Sequence, residues 1–228
     1  MLIASTTQPP TTTTNGANTL PPEVWLEIIP HIPYSPTNLA CICLTCAKLN
    51  TLVKKHEHSL VSDIKSAQFP KSNTSLFPEL DVSTYAGLSI LHQRLETLDA
   101  LHSEWLRIVN HGAELHWLKG RWESIHKAGL LLLYRLQDAG SYLGKLELLH
   151  SLPATSLACL LFKLISSIKI LRVLGPDPIN ARHCGNEIMV RSDVELAFEE
   201  CLLQHGPNFF IALLNISTNP SKTAWATS

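Results

Sequence analysis

The chain has little charge for its length. Charged residues make up 16% of its 228 residues and hydrophobic residues make up 45%, whereas globular proteins average about 25% charged residues. The formal net charge is −1, so the chain lacks the basic excess that is typical of nucleic-acid-binding proteins. Low charge with abundant apolar side chains indicates either an unusually complete core or a surface that a partner covers.

The chain also lacks a membrane-spanning segment and a secretory signal. Its longest apolar stretch, 157–174, contains Lys163, Lys169 and Arg172, whereas a membrane-spanning helix needs about 20 residues with few or no charges. Residues 1–4 are apolar without a preceding basic residue, and a threonine-rich polar stretch follows at once. We therefore expect a soluble intracellular protein, cytoplasmic or nuclear, in which the cysteines are reduced thiols.

Strand patterns, repeats and catalytic motifs are missing as well. No segment alternates apolar and polar residues convincingly, and no repeat with a period of roughly 20 to 50 residues is visible. The chain contains no glycine-rich phosphate loop and no paired histidines of the metalloprotease type. These absences predict an all-α fold without catalytic residues, metal or cofactor.

Composition divides the chain into five segments. Residues 1–18 are predicted to be a disordered tail, because they are rich in threonine, proline and asparagine and carry little to bury. Short helical patterns separated by prolines follow in 19–65, and the polar, proline-containing segment 66–83 is predicted to be a linker. Longer helices are predicted in 84–217, followed by a flexible tail over 218–228.

The segment 84–217 contains two apolar stripes with helical spacing. They flank a turn at 110–112, so we predict an antiparallel helical hairpin in which His102, on the first stripe, is buried. A third helix over 156–174 is apolar nearly all round, which predicts the most buried position. Its only charged residues are basic, whereas the helix predicted at 193–205 has only acidic ones. The two helices are therefore predicted to pair as neighbours, or to leave the acidic side solvated or available for docking.

The segment 19–65 predicts three short helices. Pro21 suits a helix start, where its missing N–H is unpaired in any case. Pro30 cannot donate within a helix, so the first helix is predicted to end near Ile29. Ser35-Pro36 is predicted to open the second helix, and the third is predicted to run from Thr45 to Val53.

The order and spacing of these residues resemble the F-box. That family has a Leu-Pro pair, an acid, an aliphatic helix, a polar break before an aspartate- or asparagine-Leu pair, and a small-Cys segment followed by basic and leucine positions. Pro30 departs from the pattern, which usually has a polar helical residue there. The matching residues are Leu20-Pro21, Glu23, residues 24–29, Ser35-Pro36-Thr37-Asn38-Leu39, Leu44-Thr45-Cys46 and Lys48-Leu49.

The resemblance implies that residues 19–65 dock on the Skp-type adaptor of an SCF ubiquitin ligase and, through it, on a cullin. Residues 84–217 would then recruit an unidentified protein substrate, and the chain would be a non-catalytic specificity subunit. An alternative is a helical scaffold that acts with the Skp protein outside a ligase. The adaptor contacts expected from the resemblance are Leu20, Pro21, Glu23, Val24, Ile28, Leu39 and Leu44.

Three closely spaced cysteines raise the possibility of a metal site. Cys41, Cys43 and Cys46 are closely spaced, but a zinc site needs a second pair of ligands, and a site built from Cys46 and His56 would use a core-facing helix. Cys46 falls where the F-box commonly has a buried cysteine, so the three are predicted to be metal-free and packed in the core.

An enzyme using His183 or Cys184 is the third hypothesis, although 182–186 is more typical of a polar loop.

Overall fold

The computed structural model describes residues 20–110, 113–175 and 188–218. The described residues form helices and no strands, so the all-α prediction is confirmed. The predicted tails lie outside the described residues except for residue 218, as do His183 and Cys184. The helices are α1 (Pro22–Ile28), α2 (Pro36–Thr45), α3 (Ala47–Lys55), α4 (Glu57–Gln68), α5 (Lys71–Thr74), α6 (Tyr85–Val109), α7 (Arg121–Asp138), α8 (Tyr142–Ser151), α9 (Ala154–Leu174) and α10 (Ile188–Thr218), with 3-10 turns at Ile29–His31 and Ala113–Leu118.

Internal contacts divide the described chain into two compact units. Unit 1 contains the residues up to Lys71 together with Val82–Ser89, and unit 2 contains Ser72–Asp81 and the residues from Ile90 onwards. The segment 66–83, predicted to be a linker, is therefore shared between the units. Its composition is that of a linker, but Phe77 is buried in unit 2 and packs edge-on against Tyr134. No helix of the described residues is long and apolar enough to cross a membrane.

In unit 1, the helix boundaries follow local rules. α1 gives way at Ile29 to a 3-10 turn that contains Pro30, since proline cannot continue the pattern of backbone donors. Ser35 caps α2, because its hydroxyl oxygen accepts a hydrogen bond from the backbone N–H of Asn38 at 3.0 Å. α3 follows after the extended residue Cys46. Sequence spacing did not predict α4, which continues to Gln68, inside the predicted linker.

The side chain of Gln68 fastens α4 to the turn after α1. Its amide nitrogen donates to the carbonyls of Pro30 and Ile32 at 2.6 and 2.7 Å. Its amide oxygen accepts from the backbone N–H of Tyr34 at 2.7 Å. One side chain thus satisfies three backbone groups of a proline-containing segment that cannot satisfy them by continuing a helix.

We expect Gln68→Ala to destabilise unit 1 by roughly 2–4 kcal/mol, because each lost hydrogen bond contributes about 0.5–1.5 kcal/mol and the backbone groups left behind are partly buried. Urea unfolding of the full chain measures this loss. Ser66→Ala, at an exposed position of the same helix, is the matched control and should shift the unfolding midpoint little. Equal midpoints for Gln68→Ala and the wild type would contradict the role given to Gln68.

In unit 2, α7, α9 and α10 pack against one another. α6 runs antiparallel to α7, as the hairpin prediction requires. Near the start of α6, Arg94 donates to the carboxylate of Asp138 at the end of α7. Near the end of α6, the centroid of the Trp105 ring lies 4.0 Å from the centroid of the His126 ring. The two predicted stripes therefore face each other.

The prediction that His102 is buried is wrong. His102 is exposed and its Nδ1 lies 3.1 Å from Oε1 of Glu123. His126 is the buried histidine of this helix pair, and Trp105 covers it. On α6 the inward position at this level belongs to Leu101, the residue before His102, so the predicted stripe was one residue off here.

The prediction that α9 is buried all round holds on one side only. That side contains Leu160, Ile170 and Leu171. Leu157, Leu161 and Ile165 recur every four residues on the other side and are exposed. The prediction that α9 and α10 pair through opposite charges is confirmed for one pair, because Arg172 donates two hydrogen bonds to Glu195, each 2.6 Å long.

Candidate protein-docking surface

The first two helices of unit 1 contain no buried residue. α2 is also free of charged residues and consists largely of leucine, isoleucine, alanine and cysteine. Short helices are marginal in water and are normally held by packing of an apolar face. α1 and α2 therefore present apolar side chains that unit 1 does not cover.

The core of unit 1 comes instead from α3, α4, the start of α6 and the segment between α1 and α2, where Ile29 and Tyr34 are buried. Leu49 and Val53 of α3 pack with the inward face of α4. The start of α6 is tied to α4, since the backbone N–H of Tyr85 donates to Oε1 of Glu57 at 2.8 Å. In contrast to α3 and α4, the helices α1 and α2 contribute no buried residue to this core.

None of the seven residues predicted to contact an adaptor is buried. Leu44 is 84% exposed, Leu20 is 42% exposed and Ile28 is 37% exposed. Pro21 and Glu23 are also exposed, whereas Val24 and Leu39 are partly covered. The three large apolar side chains of Leu44, Leu20 and Ile28 are therefore accessible to a partner in the free chain.

A groove of about 930 Å³ lies between α1 and α3. Leu20 and Glu23 line it, together with Leu26 on the α1 side and Leu52 on the α3 side. Its α3 wall also includes the exposed cation Lys48, opposite the acid at Glu23. The groove is therefore mainly apolar, with one acid, Glu23, and two lysines, Lys48 and Lys55, in its lining, and its size suits side chains of a partner helix.

The structure does not bring all seven predicted residues into one cavity. Leu39 lines a second, much smaller cavity of about 10 Å³ beside Ile42 and Ile64. Pro21, Val24, Ile28 and Leu44 line neither cavity. The predicted contacts are therefore distributed along α1 and α2 and do not share a single pocket.

Several groove residues were not among the predicted contacts. Trp25, Leu26 and Leu52 line the groove, and Trp25 and Leu26 belong to the aliphatic helix of the F-box pattern. The signal that could have identified Trp25 and Leu26 is their position close to Leu20 and Glu23 in the sequence. Which side of α1 faces α3 depends on the tertiary packing of unit 1, so the pattern alone did not select them.

The prediction that the three clustered cysteines are packed in the core is wrong for Cys41, which is exposed. Cys43 and Cys46 are half-buried free thiols. The physical reason is that α2 has no buried face, so small apolar residues in it do not reach a core. Cys46 instead separates α2 from α3, and its carbonyl accepts the backbone N–H of Asn50 at 3.2 Å.

We expect the purified chain to contain no stoichiometric metal. The described residues include no group of three or more histidines, cysteines or acids that could hold an ion, and a structural zinc site needs four ligands. Elemental analysis tests this expectation, with a variant carrying Cys41→Ala, Cys43→Ala and Cys46→Ala as the control. About one zinc or iron per wild-type chain, lost in the variant, would contradict it.

Comparison of the chain with models of protein families, with characterised proteins and with solved structures finds no match.

Proposed function

We propose that the chain is a substrate-recruiting subunit of an SCF-type ubiquitin ligase, in which residues 19–65 form an F-box that docks on the Skp-type adaptor. The proposal rests on the order of motif residues from Leu20-Pro21 to Lys48-Leu49. It makes the adaptor, and through it a cullin, the partners of unit 1. The protein substrate would bind within residues 84–217.

A single observation carries the docking part of the proposal, namely that α1 and α2 carry several large apolar side chains and bury no residue. Burying one leucine or isoleucine side chain contributes about 1.5–3 kcal/mol relative to leaving it exposed. A surface that includes Leu20, Ile28 and Leu44 can therefore gain several such contributions when an adaptor covers it. Small domains often depend on a partner in this way, because their own cores are limited.

The proposed role is not catalytic. A subunit of this kind accelerates transfer of ubiquitin by holding a target lysine close to the charged enzyme, so that a bimolecular step becomes effectively intramolecular. Exposed apolar side chains of unit 2, such as Leu161 and Leu196, offer contact area for a protein target. A protein substrate is favoured over a small ligand because these side chains lie on helix surfaces.

Affinity purification of the chain from its native cells, with the proteasome inhibited, tests the ligase role. A cullin and the adaptor should be recovered together with proteins that carry ubiquitin. Recovery of the adaptor without a cullin would favour the scaffold alternative. Absence of both from a folded, expressed chain would contradict the proposal.

A further inference from the structure

A lysine amine lies inside unit 2 without a carboxylate. Lys163 of α9 is 0% exposed, and its Nζ lies 2.7 Å from Oγ of Ser167, 3.5 Å from Nε2 of His126 and 3.7 Å from the centroid of the Phe210 ring. In the described part of the chain, no acidic side chain bonds to this amine. An ion so deeply buried is normally paired, because burying an isolated charge is very costly.

Close packing of two helices encloses the amine. At Gly129 of α7, an added Cβ would lie 2.4 Å from Cβ of Lys163 and 2.8 Å from the carbonyl oxygen of Cys159. α7 and α9 therefore touch almost backbone to backbone at this level. The side chain of Lys163 leaves this crossing towards α10, where Phe210 closes the space.

The hydrogen bonds around the amine suit a neutral base. The hydroxyl of Ser167 donates to the carbonyl oxygen of Lys163 at 2.7 Å, so its oxygen is free to accept from the amine. His126 is also buried, and its Nδ1 has no hydrogen-bond partner among the described residues. A charged amine would need further acceptors, which neither side chain provides.

Burial decides the protonation state of both bases. An ammonium over an aromatic face is attracted to the ring, but the penalty for removing a buried ion from water exceeds that attraction. Burial therefore lowers the pKa of Lys163 well below its ordinary value of 10.5. Burial, and then the neighbouring amine, lower the pKa of His126 well below 6.5.

The other titratable groups near this cluster lie at its edge. A cavity of about 20 Å³ is lined by His126, His102, Glu123 and Lys127, and it exceeds the roughly 10–15 Å³ that one water molecule requires. Nδ1 of His102 and Oε1 of Glu123 lie 3.1 Å apart on the exposed side of this cavity. Protons can therefore approach His126 from this side, whereas Phe210 on α10 contributes no charge.

We propose that Lys163 and His126 form an acid-sensitive switch in unit 2, in which protonation of either buried base opens the packing of α7, α9 and α10. With Lys163 and His126 neutral, the closed packing is stable. A charge on either base needs solvation by water, which the closed packing excludes. Because the proposed target-binding region lies in unit 2, its surface would be released at low pH. The switch itself does not depend on the proposed ligase role.

The direction of the pH effect follows from proton linkage. Both bases have a lower pKa in the folded chain than in the unfolded chain, so the unfolded chain binds more protons. The free energy of unfolding therefore rises with pH. The part due to Lys163 falls as the pH drops below about 10.5 and levels off at the folded-state pKa, and the part due to His126 falls below about 6.5.

Thermal unfolding of the full chain at several values between about pH 5 and pH 9 tests the switch. Wild-type Tm should rise with pH. Lys163→Met, which keeps the length of the side chain without the amine, should raise Tm at pH 7 by about 3 °C or more and flatten its pH dependence. Lys169→Met, at an exposed lysine of the same helix, should follow the wild type.

Two results would overturn the proposal. One is a wild-type Tm that is constant or falls as the pH rises over this range. The other is a Lys163→Met chain that melts lower than the wild type at pH 7 or fails to fold, since a cluster that favours the neutral amine should tolerate the apolar substitute.

Discussion

Gly129→Ala is expected to lower the stability of unit 2 by about 1–3 kcal/mol, although alanine is the better helix former by about 1 kcal/mol at an open helix position. The added Cβ would lie 2.4 Å from Cβ of Lys163 and 2.8 Å from the carbonyl oxygen of Cys159. Neither atom is the end of a flexible side chain, so relief requires α7 and α9 to move apart. Overpacking of a close-packed interior costs typically about 1–3 kcal/mol and occasionally more.

Urea unfolding of the full chain, followed by circular dichroism, measures this loss. Gly120→Ala is a useful control, because no atom lies within 4 Å of the added Cβ and the substitution meets only the positive φ of 70°. Its cost should be about 1–2 kcal/mol. A Gly129→Ala chain as stable as the wild type, or more stable, would show that α7 and α9 are not in backbone contact at this point.

Replacing Leu20 and Pro21 together by alanine is expected to weaken the proposed adaptor binding by about tenfold to a hundredfold. Leu20 lines the groove between α1 and α3 and is 42% exposed in the free chain, so an adaptor can bury much of its side chain. A loss of about 1.5–3 kcal/mol for such a side chain corresponds to this range, at about 1.4 kcal/mol per decade. Glu23→Lys should have a smaller effect, because exposed charge pairs contribute about 0–1 kcal/mol.

Leu196→Ala is the matched control for the double variant, since Leu196 is 63% exposed but belongs to unit 2. It should bind the adaptor like the wild type. Far-ultraviolet circular dichroism of each variant establishes that the chain is folded before binding is compared. If the folded double variant binds as tightly as the wild type, Leu20 and Pro21 are not part of the interface.

Features governed by local chemistry could be read from the sequence. The break at Pro30, the start of α2 at Ser35-Pro36 and the all-α class follow from proline, capping and periodicity. The same local rules gave the antiparallel order of α6 and α7. These features need no knowledge of distant residues.

Features that depend on distant partners could not be read in the same way. Gln68 lay in a segment with the composition of a linker, and its bonds reach residues more than thirty positions earlier in the chain. The need for glycine at position 129 comes from its close contact with α9, which only the structure shows. In the sequence, the charge of Lys163 speaks against a membrane-spanning helix. Its spacing does not indicate that other helices enclose its amine.

Only part of the candidate surface could be predicted, because the rest depends on how the helices pack. Leu20, Ile28 and Leu44 are exposed, as contacts with a partner must be, but the groove also includes Trp25 and Leu52, which depend on how α1 packs on α3. The exposure of Cys41 shows the limit of the pattern most clearly. A small apolar residue was assigned to the core, whereas its helix has no buried face.

Isothermal titration of the folded, full-length chain with purified Skp-type adaptor tests the central claim most directly. We expect saturable binding with one adaptor per chain and a Kd of about 1 µM or tighter, which corresponds to about −8 kcal/mol. The heat capacity change should be negative, as burial of the apolar surface of α1 and α2 requires. If no binding is detected with the adaptor in excess and the chain folded, residues 19–65 are not an F-box.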